Sequence, residues 1–431
     1  MKHTFILIIS LLLLACLTFS TPNSPNEKEN GIAIKAGKIF TVSGNTIENG
    51  TILVSGEKIL EVGLSDSISI PQDYTVYEYP GSTVYPGIIN AMTNLGISGI
   101  SAIDTTNDYR EAGQFNPHIS AYTAFYPWSN LIPNARDFGV LTAVTAPSGG
   151  LISGKALVAN LLGWVPEDMF IKNELALVMN IPEPPSNPRW ARFQSSNPAD
   201  QKEKLEHFIS CAYSYYLNSI NNPSFPTPND FDIKYEAMKP TWKDRLPVII
   251  SAENEESIKY AIQLGKKFKL NVILKGAYDG EKVLKEIKES GCPVILSSMY
   301  GSNSKWEDGV DKIFRLPAAL AREGIPFAFT TAGAAGAFDL PLHAGRAVAY
   351  GLSQDEAIKG LTLYPAKILG IDQYGSIEKG KIANLVITDG NILENSTLVQ
   401  HIFIKGIEVT DKSFFQKEFN RAEQKISGEY R

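Results

Sequence analysis

Between Leu246 and Thr331 the chain alternates short apolar runs with longer amphipathic ones, and few folds accommodate that order. "LPVIISAE" reads as a buried strand. "NEESIKYAIQLGKKFK" follows, with Ile258, Ala261, Ile262, Gly265 and Phe268 on one helical face. "LNVILKG" is the next strand, and "DGEKVLKEIKESG" is a helix closed by Gly291. "PVILSS", "LPAALAREG" and "PFAFTT" continue the alternation. Strand–helix–strand units join parallel strands by right-handed crossovers, and a succession of them closes most naturally into a (β/α)8 TIM-like barrel. A doubly wound open sheet is the structural alternative.

The flanks follow a different period. "IAIKAGKIFTV", "TILVSGEKILEVG" and "YTVYEYPGSTVYPG" carry apolar residues at every second position between glycine-containing turns, and "IANLVITDGN" and "LVQHIFIKGIEV" repeat the pattern near the C-terminus. The expected architecture is α/β. A barrel over residues 86–374 is inserted into a small β-sandwich formed from both chain ends, residues 32–85 and 375–410. Within 182–245 the alternation fails, where proline-rich loops flank one amphipathic helix; this segment reads as an insertion near the barrel and a candidate lid. Ser353 and Glu356 form a capping box that starts a later helix, and residues 411–431 are expected to form a C-terminal helix.

A 431-residue chain with 44% hydrophobic and 20% charged residues is globular rather than disordered. Its net charge of −6 comes with no basic stripe, so nucleic acid is not an expected partner. Three cysteines do not describe a disulfide framework. The N-terminus is more informative. Lys2 precedes the apolar run Phe5–Leu14, which is shorter than the roughly 20 residues that span a bilayer and matches the core of a secretory signal. "LLAC", Leu13 to Cys16, resembles a bacterial lipobox, in which the cysteine is lipidated. The expectation is a signal peptide over 1–15, lipidation at Cys16, and a flexible tether over 16–31. The mature chain is then held by lipid at a bacterial membrane, on the periplasmic or cell-surface side.

Further along, "VYPGIINAMTNLG" leads a strand past Pro86-Gly87 to Met92 and Asn94, two residues apart and therefore on one face. This stretch, together with "GLSQDEAIKGLTLYPAKILGI" and "GSIEKGKIANLVITDG", resembles the amidohydrolase superfamily, particularly its imidazolonepropionase-like branch. The resemblance covers nearly all of Gly31 to Val409. It implies a metal-dependent barrel with a companion β-sandwich and hydrolysis of carbon–nitrogen bonds other than ordinary peptide bonds. It also implies one or two divalent metals, held by a His-x-His pair on the first strand, histidines on middle strands and an aspartate after the last. Such a metal lowers the pKa of bound water toward about 7 and creates the attacking hydroxide.

Position by position, the ligands are replaced. Met92 and Asn94 stand in the His-x-His places, Ser251 in a middle-strand histidine place, Lys275 at the end of the next strand, and Thr331 in place of the aspartate; near the sandwich return the usual aspartate is Asn384. A thioether is a soft ligand, poorly matched to zinc or manganese, and neutral amides and hydroxyls bring no balancing charge. No cofactor is therefore expected, and zinc or manganese enters only if this site assignment is wrong. His118 and His343 are the histidines near a barrel mouth, and both read as structural or solvated. Asp104, Asp108, Glu253, Lys275 and Asp279 fall near strand C-termini, where sites of this fold gather; Glu253 and Lys275 are the candidate catalytic pair. "APSGGLISGKALV" lacks the context of a dinucleotide site and reads as a tight turn.

The expected function is that of an exported, non-hydrolytic relative that binds a small molecule or an envelope protein. The alternatives are a carbon–nitrogen hydrolase with an altered site that uses Glu253 or Lys275, and an envelope interaction scaffold.

Overall fold

The computed structural model describes residues 31–99, 103–184, 197–300, 308–309, 311–331 and 333–426. The expected signal peptide, most of the tether and Cys16 lie outside the described residues. Among those described, no helix is long and apolar enough to cross a membrane.

Both chain ends build one sheet. β1 (Ile32–Ile39), β2 (Ile47–Ser55), β3 (Lys58–Leu64) and β4 (Thr75–Pro86) join β13 (Leu385–Thr388), β14 (Val399–Ile404) and β15 (Ile407–Glu408) in the order β15-β14-β13-β4-β1-β2-β3. The join is the antiparallel pair β4–β13, with Val84 opposite Ile387 and Pro86 opposite Leu385. Period-two alternation turns Ile34, Ile52, Val84, Leu385 and Phe403 into a common core. The far edge folds back over that core: Ile59 N donates to Lys381 O at 2.9 Å and Gly380 N to Ile59 O at 2.8 Å.

The barrel comprises eight strands in chain order: β5 (Ile88–Thr93), β6 (Val140–Thr145), β7 (Ile152–Asn160), β8 (Phe170–Asn180), β9 (Val248–Ala252), β10 (Val272–Gly276), β11 (Val294–Leu296) and β12 (Phe327–Ala328). Ile249, Ile273, Ile295 and Ala328 face the interior. Their neighbours Val248, Leu274, Val294 and Phe327 pack outward under the helices. The parallel succession holds from β8 to β12. β7 departs from it, running antiparallel to both β6 and β8. Residues 146–151, which separate β6 from β7, are too few for a crossover, which needs a dozen or more. The glycine-rich stretch turns the chain back instead, with Gly149 at φ +90° and Gly150 at φ +64°.

The segment between β8 and β9 contains the helix Pro198–Asn221, which buries Leu205, Ile209 and Ala212. Phe208 stacks on Phe115 at 4.4 Å, and the Tyr260 hydroxyl donates to Glu206 Oε2 at 2.9 Å. This helix thus belongs to the outer layer that a parallel β8–β9 connection requires.

A buried polar network ties sheet to barrel. Asn384 Nδ2 donates to Asn160 Oδ1 at 2.8 Å, and Asn160 Nδ2 donates to the Tyr374 hydroxyl at 3.1 Å. Asn384 Oδ1 accepts from Lys405 N at 3.0 Å, and its backbone carbonyl from Gly87 N at 2.8 Å. Asn160 is fully buried, so removing its amide leaves partners unsatisfied. Asn160→Leu should lower stability by about 1–3 kcal/mol, and Tyr374→Phe by less. Denaturant midpoints test this, and an unchanged midpoint for Asn160→Leu would refute the joint.

Candidate functional site

Strand alternation carries the interior rows up into the mouth. Two residues beyond Ile249, Ile273, Ile295 and Ala328, the same faces present Ser251, Lys275, Ser297 and Thr330, and Glu253 follows Ser251. Lys275 pairs in register with Ser251. The Glu253 carboxylate lies over the end of β10. Its Oε1 accepts from Ser297 Oγ at 2.7 Å, and its Oε2 accepts from Tyr278 N at 3.3 Å. Lys275 Nζ lies 4.0 Å from Glu253 Oε1, and the two side chains are 27% and 28% exposed, a partly desolvated ion pair.

Local backbone makes this arrangement. Gly276 has φ +101°, and a Cβ there would sit 2.4 Å from Glu253 Oε1. Ala277 follows at φ +54°, a conformation that costs a non-glycine residue about 1–3 kcal/mol. From below, Glu183 Oε1 accepts from Glu253 N at 2.6 Å and from Ser257 Oγ. Asn254 Oδ1 caps the helix Glu255–Phe268 by accepting from Ser257 N at 3.0 Å. Ser297 and Glu183 were not singled out from the sequence. Ser297 follows a three-residue strand, and Glu183 sits in a proline-rich loop, so neither carries a periodic signal.

Across the mouth, the β5 positions form the seam that closes the barrel. Ala91 N donates to Phe329 O at 3.3 Å. Asn90 Nδ2 donates to Thr331 Oγ1 at 2.9 Å, and Asn90 Oδ1 accepts from Thr330 Oγ1 at 3.0 Å. Asn94 Oδ1 accepts from Ala334 N at 2.6 Å. Met92 packs on the interior cluster, where a register shift interrupts β5. The structure therefore groups Ser251, Glu253 and Lys275 with Ser297 on one wall, and ties Asn94 and Thr331 into the seam.

The remaining candidates separate by role. His343 is buried; its Nδ1 accepts from Met299 N at 3.3 Å, and its Nε2 faces Asp339 Oδ1 at 3.2 Å, so it fastens the chain after β11. His118 lies half-buried between β5 and β6, and Asp108 lines a cavity of about 860 Å³ beside Trp128. Asp104 opens the short turn Asp104–Thr106. Asp279 is buried against Lys312, which also reaches Asp308 Oδ2 at 3.0 Å and stands 4.3 Å from the Tyr278 ring centre. That cluster holds the loop after β10. Burial pushes the Asp308 carboxyl up, but its contacts with Lys312 and the Tyr278 hydroxyl outweigh this and hold it below the usual carboxylate range.

A sequence model of the amidohydrolase family matches residues 173–421, more than half of the chain. The chain belongs to the amidohydrolase family. An amidohydrolase from Thermotoga maritima has a similar fold, with a TM-score of 0.80 at 23% identity over 88% of this chain and all of that one. A molinate hydrolase is similar at TM-score 0.55 and 15% identity, covering 89% of this chain and 95% of its own. A β-aspartyl dipeptidase from Fervidobacterium islandicum is similar at TM-score 0.53 and 13% identity, covering 89% and 97%. No curated protein matches in sequence.

The divalent metal that this family implies finds no fitting ligand set among the described residues. Asn94 and Thr331 spend their oxygens on the seam, and Lys275 brings a positive charge into the mouth. Among the described residues no group of three or more His, Cys, Asp or Glu side chains comes together to hold an ion.

Two outcomes follow from this geometry. Gly276→Ala should destabilise the fold by more than about 1 kcal/mol, because the new methyl meets a carboxylate as well as a left-handed backbone. Gly291→Ala, also at positive φ but facing open space, should cost less; equal denaturant midpoints would refute the close approach. Since the Asp308 carboxyl is depressed on folding, its stabilisation is present above the unfolded value near 3.9 and is lost as pH falls through the folded value. Asp308→Asn should therefore cost roughly 0.5–1 kcal/mol at neutral pH, since solvent screens part of the attraction to Lys312. The gap to the parent should close on acidification below about pH 4, as followed by unfolding at stepped pH.

Proposed function

We propose that this member of the amidohydrolase family binds a small molecule in its barrel mouth and does not carry out metal-dependent hydrolysis. The observation that carries the reading is Lys275: an ammonium, 4.0 Å from Glu253, standing where the family's metal would require neutral imidazole or carboxylate. The commitment of Asn94 and Thr331 to the seam supports it further. Fold alone does not set activity, so the reading rests on these side chains. The competing reading, hydrolysis of a carbon–nitrogen bond by Glu253 and Lys275 without metal, draws support from the 2.7 Å contact between Ser297 and Glu253. For location, "LLAC" supports export with a lipid anchor at Cys16.

One experiment separates these readings. The full chain is dialysed against dilute zinc and manganese, assayed for bound metal, and offered cyclic amides and dipeptides. Far less than one metal per chain and no turnover is the expected result. A stoichiometric metal that persists would overturn the reading. So would turnover that Glu253→Gln abolishes.

A further inference from the structure

We infer that the ligand of the barrel mouth is a small zwitterion of the amino-acid type, its carboxylate on Lys275 and its ammonium on Glu253. This rests on the metal-free binding reading and adds the chemistry of the ligand. The decisive observation is the hydrogen-bonding capacity left unused. Lys275 has three donors, and the carboxylate it faces is 4.0 Å away, beyond hydrogen-bond distance. None of its donors has a hydrogen-bond partner among the described residues. A carboxylate offers about four acceptor positions. Glu253 fills one on Oε1 with Ser297 and one on Oε2 with Tyr278 N, so each oxygen keeps one open.

That inventory discriminates between ligand classes. A simple carboxylate would satisfy Lys275 but meet the like charge of Glu253. A simple amine would meet the reverse conflict. An uncharged amide offers an acceptor and a donor, but hydrogen bonds between an ion and a neutral group are weaker than those between two ions. A zwitterion with adjacent charges answers both side chains at once and leaves the site neutral. Two features add shape. Met92 packs on the interior cluster and offers a polarizable, adaptable apolar wall for the ligand's body. The left-handed pair Gly276 and Ala277 holds the end of β10 in a conformation that is unfavourable for Ala277, as backbone at binding sites often is.

Calorimetric titration of the full chain tests the inference, with L-leucine, isocaproate, which lacks the ammonium, and isoamylamine, which lacks the carboxylate. L-leucine should bind, and each half-analogue should bind about tenfold more weakly or worse, the factor that corresponds to one lost charge-assisted contact. The preference should then swap with charge: Glu253→Gln favours isocaproate over L-leucine, and Lys275→Met favours isoamylamine. A misfolded variant would lose all three ligands together, so the swap is a readout that folding defects do not mimic. Half-analogues that bind as tightly as L-leucine, an unaltered preference in both variants, or no L-leucine binding by the parent would each overturn the inference. Metal content measured on the same sample keeps the readings apart. Persistent stoichiometric metal removes the metal-free reading itself, whereas a metal-free chain that ignores L-leucine removes only the zwitterion.

Discussion

A barrel exists only if its last strand finds its first, and here that closure rests on few groups. β12 is two residues long. Among the described residues, Ala91 N donates to Phe329 O just past its end, Thr330 Oγ1 donates to the Met92 carbonyl, and the Asn90 amide bridges Thr330 and Thr331 across the seam. An unclosed edge would expose unpaired backbone groups and unravel the interior rows. The inward direction of Ile249, Ile273 and Ile295, and hence of Ser251, Lys275 and Ser297 above them, depends on this closure. The seam also accounts for the polar side chains on either side of it: Asn90, Asn94 and Thr331 spend their hydrogen bonds on holding the barrel shut.

The electrostatic character of the mouth rests on the Lys275–Glu253 pair. A dication concentrates two charges at a point and demands carboxylates or imidazoles around it. Lys275 instead supplies one positive charge on a flexible stem, and Glu253 neutralises it at 4.0 Å while hydrogen-bonded to Ser297 and the backbone of Tyr278. Below them the Asp279–Lys312–Asp308 cluster fixes the loop that follows β10, so the acceptor geometry around Glu253 is held by packed, paired charges and not by a solvated loop. The result is a polar site in which one ammonium and one carboxylate face each other.

Much of this was legible in the sequence because side-chain alternation is a local property. The period-two runs at both ends announced the shared sheet, and the strand–helix alternation from Leu246 onward announced the parallel strands β9 to β12. Glu253 and Lys275 were visible as charged residues at strand ends. What stayed hidden was pairing. "APSGG" was readable as a turn, but that β7 runs backwards depends on which strands flank it. Asn90 and Thr330 lie 240 positions apart, and nothing local to either signals the other. Asn384 read as a missing aspartate, whereas its amide joins Asn160 in the structure. Ser297 had too short a strand to declare a facing.

The shared sheet has a consequence in time. During synthesis the ribosome releases β1 to β4 first, yet the partner that covers β4, β13, emerges only after the whole barrel. Until then β4 presents an open, partly apolar edge, the feature through which strands of different chains pair wrongly. Native contacts this distant in sequence form late and slowly. The first fold to form is therefore not the first sequence to appear, and the interval between them is when a nascent chain of this architecture most needs protection.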